Sequence, residues 1–271
     1  MSEAVVLPGS RDIRARLDRA IEESGRPRDD GADPSAGASV GVGGETDTNT
    51  DRQTKSGVTT PTETESEADA NAAVNPGRQD SRDESTSGVS TSACVVACPP
   101  HPQHGGHRGD RRLTAVSEAL VERGISCLRF GYGPWDGGHG ETADAGVALE
   151  WARDHFDSIG LFGYSFGGCI ALVTASSQSA LDATAALAPA VQIDSELDAV
   201  STLEKIDGPL QVVSGNQDTT VEWEPIVERT REIGGTVVEV PARHSFRGHE
   251  TQVANAVGDF FGRTLDDSRH G

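Results

Sequence analysis

From residue 92 onward the chain alternates short apolar runs with longer stretches in which apolar residues recur every three or four positions. The runs at 93–97, 125–130, 159–162, 184–187, 210–213 and 236–240 have the length of strands and are apolar almost throughout. Strands of that kind are buried on both faces. Between them, Leu113, Val116 and Leu120 share one helical face, which Gly124 ends. Ala145, Ala148, Leu149 and Ala152 form a second stripe, with Thr142 as its expected cap. Val253, Ala256, Val257, Phe260 and Phe261 give the last helix its apolar face. The alternation predicts an α/β fold, a mostly parallel sheet with helices on both faces. Such sheets bind ligands at the carboxyl ends of their strands, so the loops after each strand are where chemistry is expected.

The first 21 residues follow another pattern. Ile13, Ala15 and Leu17 alternate with Arg14, Arg16 and Asp18, the period of a half-buried strand. Ala4-Val5-Val6-Leu7 precedes them across a Pro8-Gly9-Ser10 turn. This predicts an antiparallel hairpin over 1–21, too small to stand alone, that joins the sheet formed after residue 92. Residues 22–91 contain no Leu, Ile, Met, Cys or aromatic residue and only five valines as large apolar side chains. Such a segment cannot offset an ordering cost of about 1–2 kcal/mol per residue. The composition therefore reads as a disordered acidic insertion over 22–91, with the core at 92–265 and a flexible tail at 266–271.

Charge and cysteine usage narrow the class. The 271 residues include 43 acidic and 23 basic ones, for a net charge of −20, with lysine only at Lys55 and Lys205. Nucleic acid and anionic membranes demand clustered basic residues, so neither is an expected partner. No apolar run reaches the roughly 18 residues of a membrane span. The start, MSEAVVLPGS, lacks a secretory pattern, which makes the expected location cytoplasmic. Dense carboxylates with almost no lysine fit adaptation to molar salt, where the Debye length falls to about 3 Å and self-repulsion is screened. Cys94, Cys98, Cys127 and Cys169 lie in apolar segments without paired spacings and read as buried thiols.

The chemistry concentrates in a few loops. Gly163-Tyr164-Ser165-Phe166-Gly167 follows one strand and opens a helix expected over 169–177. Glycines flanking the serine let strand and helix approach closely, which lifts Ser165 out of a strained turn. The Phe166 amide then sits at the helix N-terminus, where it can stabilise an oxyanion. A serine nucleophile needs a base, and the base an orienting acid. Asp218 lies just past the strand at 210–213 and His244 just past the strand at 236–240, in the chain order Ser, Asp, His that this architecture uses. His249 is the alternative base, and a helix cap near Val221 the alternative role for Asp218.

The loop after the first core strand reads Pro99-Pro100-His101-Pro102-Gln103-His104-Gly105-Gly106-His107. Its prolines have no N–H, which leaves His101, or else Gln103, as donor of the second oxyanion amide. The three histidines suit no rigid ligand frame, and no metal or other cofactor is expected. Gly131-Tyr132-Gly133-Pro134-Trp135-Asp136 lacks the third glycine of a dinucleotide loop. It reads as a wall of the site, with Trp135, and Tyr164 of the elbow, as substrate-binding surfaces. Between Leu187 and Leu210 only one helix is expected, over 195–206, so no large lid covers the site.

Through these residues the chain resembles the α/β-hydrolase superfamily, and within it the dienelactone hydrolase-like and uncharacterised hydrolases of haloarchaeal type. The resemblance runs through the Pro-Pro-His-Pro-Gln-His-Gly-Gly loop, the Leu128-Arg129-Phe130-Gly131-Tyr132 strand end, the Ser165 elbow, Asp218 and His244. It implies an esterase-type triad of Ser165, Asp218 and His244, with oxyanion amides at Phe166 and His101. Dienelactone hydrolases proper carry cysteine at the elbow, where this chain has Ser165. The expected activity is hydrolysis of small carboxylic esters or thioesters, with a small-molecule ester as partner. A catalytically silent binding or scaffold protein on the same fold is the alternative.

Overall fold

Alternation of side chains across strands accounts for how the sheet is covered. The computed structural model describes residues 1–9, 11, 13–20 and 92–267. The insertion read over 22–91 lies outside the described residues. Eight strands form one sheet: β1 (Ser2–Val6), β2 (Arg14–Asp18), β3 (Ala93–Cys98), β4 (Ser126–Gly131), β5 (Ser158–Tyr164), β6 (Ala183–Leu187), β7 (Leu210–Gly215) and β8 (Thr236–Val240). Their order is β1-β2-β4-β3-β5-β6-β7-β8. The hairpin strands run antiparallel to each other, and β2 runs antiparallel to β4, placing Leu17 opposite Leu128 and Ala15 opposite Phe130. All pairings from β4 to β8 are parallel. Ile13, Ala15 and Leu17 are buried, while Arg14 and Arg16 face out, as their alternation requires.

Helices α1 (Arg111–Val121), α2 (His139–Arg153), α3 (Phe166–Ser177), α4 (Ala199–Thr202), α5 (Glu224–Glu232) and α6 (Glu250–Asp267) cover both faces. Val95 and Phe162 pack with Leu113, Leu120, Val257 and Phe261 on the α1 and α6 side. Their strand neighbours Val96 and Leu161 pack with Leu149 and Ile170 on the α2 and α3 side. That two-sided burial is why the central strands read as unbroken apolar runs. The four cysteines are free and buried, and burial pushes the Cys127 and Cys169 thiols up to about 12, which leaves them unreactive. No described helix is long and apolar enough to cross a membrane.

Three helix starts differ from the expected ones because a carboxylate caps backbone amides, while α3 begins at Phe166, three residues ahead of the expected start at 169. Helix α2 starts at His139, ahead of Thr142, because Glu141 accepts from the Gly138 amide at 2.8 Å and the Asp136 amide at 3.1 Å. Thr142 instead donates its hydroxyl to the Gly138 carbonyl at 2.8 Å. The single helix expected over 195–206 is only α4 followed by a 3-10 turn, Leu203–Lys205. Asp194 accepts from the Glu196 and Leu197 amides, and Asp198 from those of Val200 and Ser201, so side chains take the first turns of the longer helix. Helix α5 begins at Glu224 rather than near Val221 because Asp218 accepts from the Thr220 and Val221 amides. At the far end α6 continues to Asp267, two residues into the expected tail.

Candidate active site

Helix α3 follows β5 with one residue between them, and the backbone pays for that sharpness at Ser165, which has φ 57° and ψ −119°. Positive φ on a residue with a side chain costs about 1–3 kcal/mol and persists only where surrounding contacts fix it. Here the Ser165 amide donates to the Leu187 carbonyl at 2.9 Å. The Ser165 carbonyl accepts from the amides of Gly168, Ala190 and Cys169 at 2.9, 3.1 and 3.2 Å. The glycine spacing is steric. A Cβ on Gly163 would overlap the Gly167 carbonyl, and one on Gly167 would overlap the carbonyls of Cys98 and Pro99. Gly167→Ala is therefore expected to cost about 2–3 kcal/mol, lowering Tm by about 5–10 °C. Misplacement of the elbow should also cut kcat/KM about 100-fold. A melting curve and an ester assay check both, and unchanged values would contradict the steric account.

The strand-end loops bring the other two polar residues to Ser165. Ser165 Oγ lies 2.8 Å from His244 Nε2, and His244 Nδ1 lies 2.7 Å from Asp218 Oδ2. The Asp218 side chain is fully buried. Its second oxygen, Oδ1, accepts from the amides of Thr220 at 2.8 Å and Val221 at 3.3 Å, which closes a turn and delays α5. The capping role weighed for Asp218 thus coexists with its contact to His244, one oxygen for each. His249 is not part of this chain of contacts; its ring lies 3.3 Å from Gln252 at the start of α6.

The His244 loop is held from beneath. Tyr164 donates its hydroxyl to the His244 carbonyl at 3.0 Å, and burial pushes that hydroxyl up to about 12, so it stays a donor. Arg112 lies over the Tyr164 ring, 4.4 Å from its centroid, and donates to the Ser245 carbonyl at 3.5 Å and to Asp110 at 2.6 Å. Sequence reading missed Arg112, whose place on the first turn of α1 looks like that of any solvated helix cation.

Two amides open beside the serine. Phe166 is the first residue of α3, and neither its amide nor that of His101 donates to a protein acceptor among the described residues. The Gln103 amide is occupied, donating to His101 Nδ1 at 3.3 Å, so of the two candidates in that loop His101 has the free one. Burial and the neighbouring His104 lower the His101 pKa, which keeps its ring neutral. The rings of His101 and His104 stack at 4.4 Å, and the described residues contain no metal-binding group of three or more His, Cys, Asp or Glu.

A cleft of about 370 Å³ opens over Ser165 and His244, lined also by His101, His104, Arg112 and Tyr164. Trp135, 38% exposed, stacks on His101 at 4.7 Å and stands 5.6 Å from the Phe166 ring. Tyr164, expected as a substrate surface, both lines the cleft and supports His244. A second cavity of about 400 Å³ lies between the hairpin and α1, lined by Asp18, Arg19, Ser117 and Glu118, but its Ser117 hydroxyl is already donated to Asp18 at 2.6 Å. The polar chain at Ser165 makes the first cleft the site of interest.

Residues 141–261 match the model of the dienelactone hydrolase family. An uncharacterized protein of Rickettsia prowazekii is 24% identical over 179 residues, covering 59% of this chain and 75% of that one. An alpha-beta serine hydrolase homologue from Coxiella burnetii is 29% identical, with a TM-score of 0.56 over 64% of this chain and 86% of that one. An a/b serine hydrolase without lid from Xanthomonas campestris has a TM-score of 0.63 at 17% identity, covering 97% and 95% of the two chains. Sheet order, hairpin, elbow and these likenesses agree. The chain is a hydrolase with the α/β-hydrolase fold, and over residues 141–261 it is similar to the dienelactone hydrolase family.

Proposed function

We propose that the chain hydrolyses small carboxylic esters or thioesters, with Ser165 as nucleophile, His244 as general base and acid, and Asp218 as its orienting carboxylate. The observation that carries this reading is the unbroken contact from Asp218 through His244 to Ser165, at 2.7 and 2.8 Å, beside two amides without acceptors. Ser165 Oγ attacks the carbonyl carbon as its proton passes to His244 Nε2, and Asp218 stabilises the imidazolium. The oxyanion accepts from the amides of Phe166 and His101, each worth about 3–4 kcal/mol in comparable sites. Collapse expels the alcohol or thiol, which takes the proton from His244. Water, deprotonated by the same imidazole, then releases the acid and restores Ser165. The match to the dienelactone hydrolase family supports ester chemistry. In this reading Trp135 and Tyr164 border the substrate. The enzyme is cytoplasmic and adapted to high salt, with 22–91 inserted into its hairpin-to-core connection.

Only α4 and a 3-10 turn stand between β6 and β7, which leaves the cleft open and offers long chains little apolar cover. A series of p-nitrophenyl esters assayed in molar KCl should show turnover of the acetate and butyrate, with kcat/KM falling for longer acyl chains. No turnover of short esters by folded protein, or a preference that climbs with chain length, would contradict this function.

A further inference from the structure

The loop between β4 and α2 carries Trp135 against His101, a residue of the cleft lining, and that loop rests on ionic groups. Glu141 and Asp144, on the first turns of α2, have fully buried carboxylates. Asp144 Oδ2 accepts from the Gly133 amide at 2.9 Å, and Glu141 holds the amides of Asp136 and Gly138. Two buried carboxylates side by side require a cation. Arg11, from the turn of the N-terminal hairpin, supplies it. Its Nε donates to Asp144 Oδ1 at 2.6 Å and its Nη2 donates to the Pro134 carbonyl at 2.5 Å. The same Nη2 lies 3.9 Å from Glu141 Oε1. The backbone is shaped around this guanidinium: a Cβ on Gly140 would overlap it, and one on Gly133 would overlap the Arg11 backbone.

The Pro134 carbonyl belongs to the peptide bond that leads into Trp135. The Trp135 ring in turn touches the rings of His101 and Phe166, the two residues whose amides have no protein acceptor among the described residues. We propose that Arg11 is a positioning residue that sets the Trp135 wall against His101 and Phe166, and so sets a preference for esters with a flat aromatic group. This inference rests on the hydrolase reading above. The guanidinium fork joins Asp144 and Pro134 at once, which a lysine ammonium on its flexible stem cannot reproduce, although it supplies the same charge.

Arg11→Lys separates position from charge, and Arg11→Ala removes both. With naphthyl acetate, both variants should raise KM about three- to tenfold, the worth of one aromatic contact, with kcat unchanged. With ethyl acetate, KM should stay as in the parent. In a Trp135→Ala background the Arg11 substitutions should add nothing. Equal changes for both esters, persistence of the effect without Trp135, or no effect of either variant would overturn the proposal. A second readout needs no turnover. With Trp151 and Trp223 replaced by Phe, acrylamide quenching of Trp135 should rise in Arg11→Lys, and unchanged quenching would overturn the proposal. If the parent turns over neither ester, the hydrolase reading fails and quenching alone decides the role of Arg11.

Discussion

Ser165→Ala should lower kcat/KM for a short-chain ester by about 10⁵–10⁶-fold, the loss seen where nucleophile and base act as one unit. The substitution removes a single oxygen, and with it the acceptor of the acyl group and the partner of His244 Nε2 at 2.8 Å. The elbow itself should survive. Its clamps are backbone hydrogen bonds from the Ser165 carbonyl and amide, which alanine retains. Tm should therefore stay level or rise, as is common when a strained functional residue is simplified. Because the roles are coupled, adding His244→Ala should cost little more. What remains above the uncatalysed rate would come from the Phe166 and His101 amides and from binding. Activity in Ser165→Ala close to that of the parent would remove Ser165 from the chemistry.

Asp218→Asn should cost about 10⁴-fold in kcat while leaving the fold intact. The reason lies in how the two oxygens of Asp218 are used. Oδ1 accepts from the Thr220 and Val221 amides, so an asparagine keeps its carbonyl there and points its NH2 at His244 Nδ1. Nδ1 must then act as acceptor, which places the imidazole proton on Nε2. In that tautomer Nε2 can no longer take the proton of Ser165. Asp218→Ala is a harsher change. It leaves the two turn amides and the imidazole N–H without their buried acceptor, so stability should fall as well, by about 1–3 kcal/mol for an unsatisfied group. The contrast between the variants, measured as kcat and Tm together, separates tautomer control from structural support. Full activity in Asp218→Asn would mean that His244 is oriented by something else.

The elements of this fold were legible because burial on two faces leaves a simple trace. Six apolar runs in the core became six parallel-paired strands, and the alternating Ile13, Ala15 and Leu17 became the inner face of the hairpin. Ser165, Asp218 and His244 could be named for a similar reason. In a parallel sheet each lies just beyond a strand, so position along the chain translates directly into position at one edge of the sheet. Choices that depended on single hydrogen bonds were not legible. Sequence favours His101 over Gln103 as donor but leaves Gln103 open; the His101 ring, which occupies the Gln103 amide, decides between them. The helix starts at His139, Ala199 and Glu224 shifted because Glu141, Asp198 and Asp218 cap amides that periodicity alone assigns to helices. The Arg11, Glu141 and Asp144 cluster was hidden more deeply. Arg11 meets Asp144 across 133 residues, and a buried carboxylate looks like a surface one until its partner is known. Glu141 and Asp144, three residues apart, extend the face of the Ala145 stripe with carboxylates, and that was the available signal.

Labelling with a fluorophosphonate, followed by mass mapping of the modified peptide, tests the central claim most directly. The reagent reports a serine made nucleophilic by a neighbouring base and requires no knowledge of the substrate. A single adduct on Ser165 in molar KCl, absent from Ser165→Ala and suppressed in His244→Ala, is the predicted result. An unlabelled protein with a native melting transition, or an adduct on another serine, would contradict it.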